Sequence, residues 1–474
     1  MVAQSFCKAL KVEKLMKVVG DKVFYRHVFK IALPILIQST LTYMVGFVDN
    51  IMVGQIGTEA LSGVAIVNQL HFVYFTCLVG IVAGGSVFGT QFYGNRDYGS
   101  FRETFKLRLL CCMVLSVIAI VVFLMLGKEL IALFIYSQNG QTSAAATLFY
   151  GEKYLRILLL GFIPFAGAQV YTSTVKDMGE TFTPMAASIA AVILNTILNY
   201  LLIFGNFNFP ELGVEGAAVA TVISRYIEFF IIFIAVHAGK KKFKCLTGAF
   251  QKFNTNTNLA GQMIKKSIPF MANETFWSIG TVIMLQCYSF RGIHVIAGLN
   301  IATSIYNIFT VIYMAIGGSA AIIIGQLLGA GKMEEAKASS NKLFFAAIIG
   351  SVCSGILLFM IAPVLPNVYN TSAAVRSLAT QFMSVLAICL PMSCFTHVAF
   401  YTIRAGGRSV MTFLYDSLNL WIINIPLAFF LTRYTDLPIL PIYFICQAAE
   451  IVKLIAGTVL IKKGVWLNNI IKVK

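Results

Sequence analysis

Long apolar runs broken by short polar connections recur along the whole 474-residue chain. Twelve of these runs reach the roughly 20 residues that a membrane-spanning helix needs. They fall at about 28–53, 60–88, 104–126, 150–175, 184–205, 216–236, 268–290, 295–325, 340–362, 375–403, 411–432 and 439–461. Several are longer than the bilayer core requires, so tilt or extension beyond it is expected. Turn-forming connections such as Gly94-Asn95-Arg96-Asp97 and Gly329-Ala330-Gly331-Lys332 separate them. A transmembrane barrel would show short alternating segments instead. The pattern predicts an all-α polytopic membrane protein with twelve transmembrane helices.

The longest polar break contains Lys240-Lys241-Lys242 and Asn254-Thr255-Asn256-Thr257-Asn258. It divides the chain into an N-terminal segment (1–27), a six-helix bundle (28–236), a basic linker (237–267), a second bundle (268–461) and a tail (462–474). The halves look related. At an offset of 235, Pro34 falls on Pro269, Gly57 on Gly292, Gly63 on Gly298, Gln91 on Gln326 and Gly94 on Gly329. At an offset of 228, Thr174-Val175-Lys176 falls on Thr402-Ile403-Arg404, and Gly179 on Gly407. Such self-similarity signals duplication. Because six is even, both halves insert the same way, giving a parallel repeat of the kind transporters use, with substrate bound between the halves.

Composition sharpens the picture. Apolar residues make up 58%, charged residues 12%, and the mean hydropathy is +0.82. Soluble domains carry about twice that charge, which excludes a soluble enzyme of this length, and disorder is excluded by the same numbers. The net charge of +17 arises from 36 Lys and Arg against 19 Asp and Glu. Its distribution speaks for orientation rather than nucleic-acid binding. With the N-terminus inside, and basic residues near span ends counted with the adjoining segments, the inner segments hold 28 of the 36 basic residues and the outer loops 6, while Arg225 and Lys453 lie well within spans. This asymmetry places both termini in the cytoplasm and the chain in the cell membrane. The basic stretch from Lys8 to Arg26 does not read as a cleavable signal peptide. The ten cysteines include no CxxC pair and suggest neither a disulfide framework nor a metal site.

Ionisable residues within spans are costly and need a reason. Asp49, in Gly46-Phe47-Val48-Asp49-Asn50, is either a helix-end carboxylate wetted by the interface or a cavity group binding Na+ or a proton. Asn195 and Asn199 share one helix face at i,i+4 spacing. With Asp49 and the Thr221 hydroxyl they offer an oxygen cage for a hard cation or a relayed proton; the alternative is interhelical hydrogen bonding. Glu274 sits one or two turns into the seventh span with no cationic residue nearby in sequence. It reads as a cavity carboxylate for a cationic substrate or proton, or as a helix cap. Asp416 fits an interfacial or a cavity position equally. Arg225 with Glu228, and Glu450 with Lys453, are spaced for intrahelical pairs. His71 and His397 are ordinarily hydrogen-bonded core residues, with His397 a minor candidate for proton relay. Pro164, Pro391 and Pro426 can kink their spans. HExxH, GxSxG, GxxxxGK[ST] and a plausibly placed GxGxxG are all absent. With no cofactor or nucleotide site, active transport would draw on an ion gradient.

These residues, in this order, resemble the multidrug and toxic compound extrusion (MATE) family of antiporters over about residues 28–460. The carriers begin with Pro34 through Gly57, including Gly46-Phe47-Val48-Asp49 and Val53-Gly54, then Gln91-Phe92-Tyr93-Gly94 and Lys176-Asp177-Met178-Gly179 through Pro184. Asn195 to Gly205 and Pro210-Glu211-Leu212-Gly213-Val214-Glu215-Gly216-Ala217-Ala218 complete the first half. Asn273-Glu274-Thr275-Phe276-Trp277-Ser278 and Gly325-Gln326 to Gly331 follow in the second. The resemblance implies a V-shaped pair of six-helix bundles that exports organic, often cationic, compounds in exchange for Na+ or H+. It matches the family's cation site to Asp49, Asn195, Asn199 and Thr221, and its span-7 acid to Glu274. Two departures stand out. Some branches have a carboxylate in span 10, and here that span has none. Some have Asp at the position of Asn199.

Two competing readings remain. A lipid-linked precursor flippase of the same wider superfamily would present Arg or Lys in its cavity for phosphate, whereas here Arg225 and Lys453 each have an acid three residues away. A receptor or scaffold would not need intramembrane acids lacking nearby cations. The expected partners are small organic substrates and the bilayer, not nucleic acid, with each chain a complete transporter.

Overall fold

The computed structural model describes residues 20–135, 141–250, 257–369 and 371–471. Most of the expected N-terminal segment, Cys7, the Asn254–Asn256 stretch of the linker and the last three tail residues lie outside them. Twelve long helices follow one another, with no strand among the described residues. They are α1 (Lys22–Gly54), α2 (Thr58–Gly94), α3 (Tyr98–Ile135), α4 (Ala144–Asp177), α5 (Phe182–Phe204) and α6 (Val214–Ala238). Then come α7 (Thr257–Ser289), α8 (Ile293–Gly329), α9 (Met333–Ile361), α10 (Ala373–Ala405), α11 (Ser409–Tyr434) and α12 (Ile439–Lys462). In hydrocarbon every backbone polar group must be satisfied within its own segment, and helices achieve this. Eleven of the twelve are apolar and long enough to cross a membrane. The other, α7, has the length, but Lys265, Lys266, Asn273 and Glu274 dilute its apolar run. Apolar side chains such as Leu124, Met125 and Leu133 of α3 are exposed, as lipid-facing residues are.

The duplication is visible in the helix bounds. Both ends of α1 and α7, and both ends of α2 and α8, are displaced by the same 235 residues. Gly57 and Gly292 occupy the equivalent turns with φ of +150° and +114°, a region that favours glycine.

Winding irregularities precede a proline in two helices, and a third runs through its proline unbroken. Pro164 has no N–H for the Leu160 carbonyl, and the chain there tightens into a 3₁₀ turn over Leu159–Gly161. Pro391 lies within a continuous α10. Ahead of Pro426, α11 widens into π-helical turns over Leu414–Leu418 and Leu420–Asn424.

The described residues fall into two compact units. One holds the residues up to Leu36, Thr90–Arg96 and those from Ala272 onward; the other holds Ile37–Gly89 and those within Asp97–Met271. The second unit has an aromatic core in which the Tyr74 and Phe162 rings stack 4.3 Å apart. It also buries an ion pair: Arg108, fully inaccessible, bonds Asp177 at 2.8 Å and Ser173 at 2.8 Å, while Ser86 donates to Asp177. The first unit is packed around Phe382, Leu390, Ala302 and Leu358 from α8, α9 and α10.

Candidate functional site

In the unit containing most of α1–α6, the i,i+4 spacing of α5 sets Asn195 and Asn199 on one buried face, toward Asp49 of α1. The Asn199 amide donates to Asp49 Oδ1 at 2.7 Å. With its amide in the orientation that satisfies both groups, Asn195 donates to Asp49 Oδ1 at 3.2 Å and to Oδ2 at 3.1 Å. Thr221 of α6 donates to the Ala217 carbonyl at 3.0 Å, and its hydroxyl lies 3.5 Å from the Asn195 amide. All four residues expected from the sequence therefore converge. Asn199 Oδ1 is buried without a hydrogen-bond partner. Buried polar atoms are nearly always paired, so an orphan carbonyl oxygen beside a carboxylate is a feature a hard cation can satisfy.

Asp49, Asn199 and Thr221 line a cavity of about 230 Å³. Asn68, His71, Tyr154 and Arg225 also line it. Arg225 bonds Glu228 at 3.3 Å, as the i,i+3 spacing expects, and lies 4.4 Å from the centre of the Phe165 ring. The sequence offered Arg225 as a structural pair and gave no sign that it shares a cavity with Asp49.

The acids of the other unit are arranged differently. Glu274, expected to lack a cation, faces Arg404 of α10 at 3.8 Å. The expectation fails because Arg404 comes from 130 residues further along the chain, and local spacing cannot report it. Lys453 was expected to pair with Glu450. It bonds Asp416 instead, and Glu450 accepts from Ser393 at 3.2 Å. Asp416 lies in the first π-turn of α11, and both it and Lys453 have side chains only 13% exposed. Asn273, beside Glu274, donates to Asp416 at 3.2 Å and accepts from Ser417 at 2.8 Å. Asp416 is thus part of a buried polar cluster rather than an interfacial cap. His397 lies among aromatic rings, with Tyr313 and Tyr401 each 5.0 Å away and its Nε2 unpartnered. A groove of about 350 Å³ between α11 and α12 has apolar walls including Leu414, Leu418 and Ile422, with Lys453 in its lining.

No group of three or more His, Cys, Asp or Glu among the described residues could hold a metal ion. The nine described cysteines are all free.

A model of the MatE family matches residues 34–201 and 270–430. A probable multidrug resistance protein NorM from Thermotoga maritima is 22% identical over 416 residues, covering 88% of this chain and 87% of that protein. Another, from Bacillus cereus, is 26% identical over 408 residues, covering 85% and 87%. Among solved structures, a MOP-superfamily transporter from Pyrococcus furiosus superposes with a TM-score of 0.84 at 16% identity, covering 94% of this chain and 97% of its own. An outward-facing multidrug resistance transporter of the MATE family gives 0.83 at 17% identity, covering 94% and 98%.

Proposed function

Because the chain belongs to the MatE family of membrane transporters, we propose that it exports organic, often cationic, drug-like compounds in exchange for Na+ or H+ by alternating access. Asp49, Asn195, Asn199 and Thr221 form the coupling-cation site. Glu274 serves the substrate, with Arg404 as its counter-ion when the site is empty. Both termini lie in the cytoplasm, and one chain is a complete transporter. The relatives named as probable multidrug resistance proteins support the substrate class.

The observation that carries the reading is the setting of Asp49. Its carboxylate lines a cavity, held by two amides, next to the orphan oxygen of Asn199. An entering monovalent cation would find a charged oxygen and a neutral one already positioned. One net charge crossing 100 mV supplies about 2.3 kcal/mol; a one-for-one exchange of monovalent cations moves no net charge and draws on the concentration gradient of the coupling ion instead.

The test is dye movement in proteoliposomes of the purified protein, with a Na+ gradient and a pH gradient imposed in separate runs. Transport driven by one gradient and abolished by Asp49→Asn is expected. Undiminished transport by Asp49→Asn would overturn the assigned role.

A further inference from the structure

The segment after α12 reads Gly464-Val465-Trp466-Leu467-Asn468-Asn469-Ile470-Ile471, with no charge over eight residues. A freely solvated tail would be polar and charged. This one is packed down. Trp466 is 1% exposed, and its indole N–H donates to the Ile461 carbonyl at 3.3 Å. A Cβ on Gly406 would lie 2.1 Å from the Trp466 carbonyl oxygen, so only glycine allows this approach.

The segment's amides reach the ends of helices. Asn468 donates to the Gly406 carbonyl at 3.1 Å, and Asn469 to those of Leu328 and Gly329 at 2.9 and 3.3 Å. These carbonyls belong to the C-terminal turns of α10 and α8, where a helix leaves its acceptors unsatisfied. Gln91, fully buried in the last turns of α2, joins them. Its amide donates to the Ala405 and Asn468 carbonyls, both at 3.2 Å, and its Oε1 accepts from the Ile470 N–H at 2.9 Å. One short segment thus ties together the ends of α2, α8 and α10.

Beneath it, α2 and α8 meet backbone to backbone. A Cβ on Gly94 would stand 2.0 Å from the Gln326 carbonyl oxygen, and a Cβ on Gly329 would stand 2.0 Å from that of Gln91. Gln91 and Gln326, like Gly94 and Gly329, are repeat equivalents, so this seam is formed by the same helix end of each half. Alternating access moves one repeat against the other, and such a seam has to part in one state.

We propose that Gly464–Ile471 is a latch that holds the α2–α8 seam shut, with Gln91 as its catch. The proposal rests on the alternating-access reading for its purpose, but not for its contacts. The contacts suit a releasable device, because amide-to-carbonyl bonds at helix ends can be exchanged for bonds to water.

Hydrogen–deuterium exchange of the full chain in nanodiscs tests it. Two variants are compared with wild type: a chain ending at Lys463, and Gln91→Ala. Exchange of amides in 89–96 and 325–332 is expected to rise at least tenfold in both, with residues 195–203 unchanged. Added synthetic peptide 464–474 is expected to restore protection to the shortened chain. Unchanged exchange at the seam in Gln91→Ala would overturn the latch, as would a rise spread over every helix in both variants. If wild type transports nothing while the seam still loosens as described, the latch stands and the transport reading falls.

Discussion

The two halves share a frame yet place their charges differently. At the offset that superposes α1 on α7, Asp49 corresponds to Met284, and Glu274 corresponds to Ser39. At the offset that matches their ends, Lys176 of α4 corresponds to Arg404 of α10. In the first half Lys176 donates to the neutral Gln38 at 3.0 Å, leaving the acid about three turns further along among amides. In the second half Arg404 meets the acid itself. Duplication supplied two equivalent scaffolds, and substitution made one a carboxylate–amide site and the other an ion-paired site. A carboxylate whose hydrogen bonds come from neutral amides has none of its charge matched by those partners. One already facing a guanidinium has much of its charge matched.

The largest effect is expected at the heart of this asymmetry. Asp49→Asn should lower gradient-driven dye transport more than 20-fold, and adding Met284→Asp to it should restore none, because Met284 packs against the apolar core around Phe382 and Leu390. Recovery by the double variant would erase the distinction between the halves.

Next is the cluster around Asp416. Asp416→Asn leaves Lys453 buried without its carboxylate and is expected to cost about 3–5 kcal/mol. Thermal melting in detergent should drop by several degrees, and Asp416→Asn with Lys453→Met should recover most of the loss. Equal melting of the single and double variants would mean that the pair is not stabilised as a unit.

Thr221→Ala is expected to be milder, since its hydroxyl stands at the edge of the Asp49 site. A two- to fivefold rise in the cation concentration giving half-maximal transport, with little change in maximal rate, is the expected outcome in the same vesicles.

The smallest effect concerns the loop between α4 and α5. Burial pushes the Glu180 carboxyl up, but bonding to Lys242 at 3.0 Å, the Lys242 charge and two bonds from Thr183 together hold it below the usual carboxylate range. Its stabilisation is therefore present at neutral pH and fades as pH falls through that lowered value. Glu180→Gln should lower the melting temperature by about 1 °C at pH 7, consistent with at most about 1 kcal/mol for an exposed pair, and the difference should shrink as pH falls below the usual carboxylate range.

Much of this was legible in the sequence. Apolar run lengths gave the twelve helices, and the Gly and Pro coincidences at an offset of 235 anticipated helix bounds that repeat at that spacing. Asn195 and Asn199 were readable as one face because i,i+4 geometry is local. Arg404 was not, because it closes on Glu274 from another helix and was counted only as a loop charge. Its alignment with Lys176 was the available signal. The pairing of Lys453 with Asp416 joins α12 to α11, and the local spacing that offered Glu450 as its partner does not report it. Gln91 was visible as a repeat position, but its role emerges only where the tail folds back on it.

Cation binding to the purified protein without substrate tests the central asymmetry most directly. Binding of ²²Na+, and proton uptake followed with a pH indicator, would be measured for wild type, Asp49→Asn and Glu274→Gln. The account expects wild type and Glu274→Gln to bind one of the two ions alike, and Asp49→Asn to lose that binding. Loss in Glu274→Gln with full retention in Asp49→Asn would contradict it.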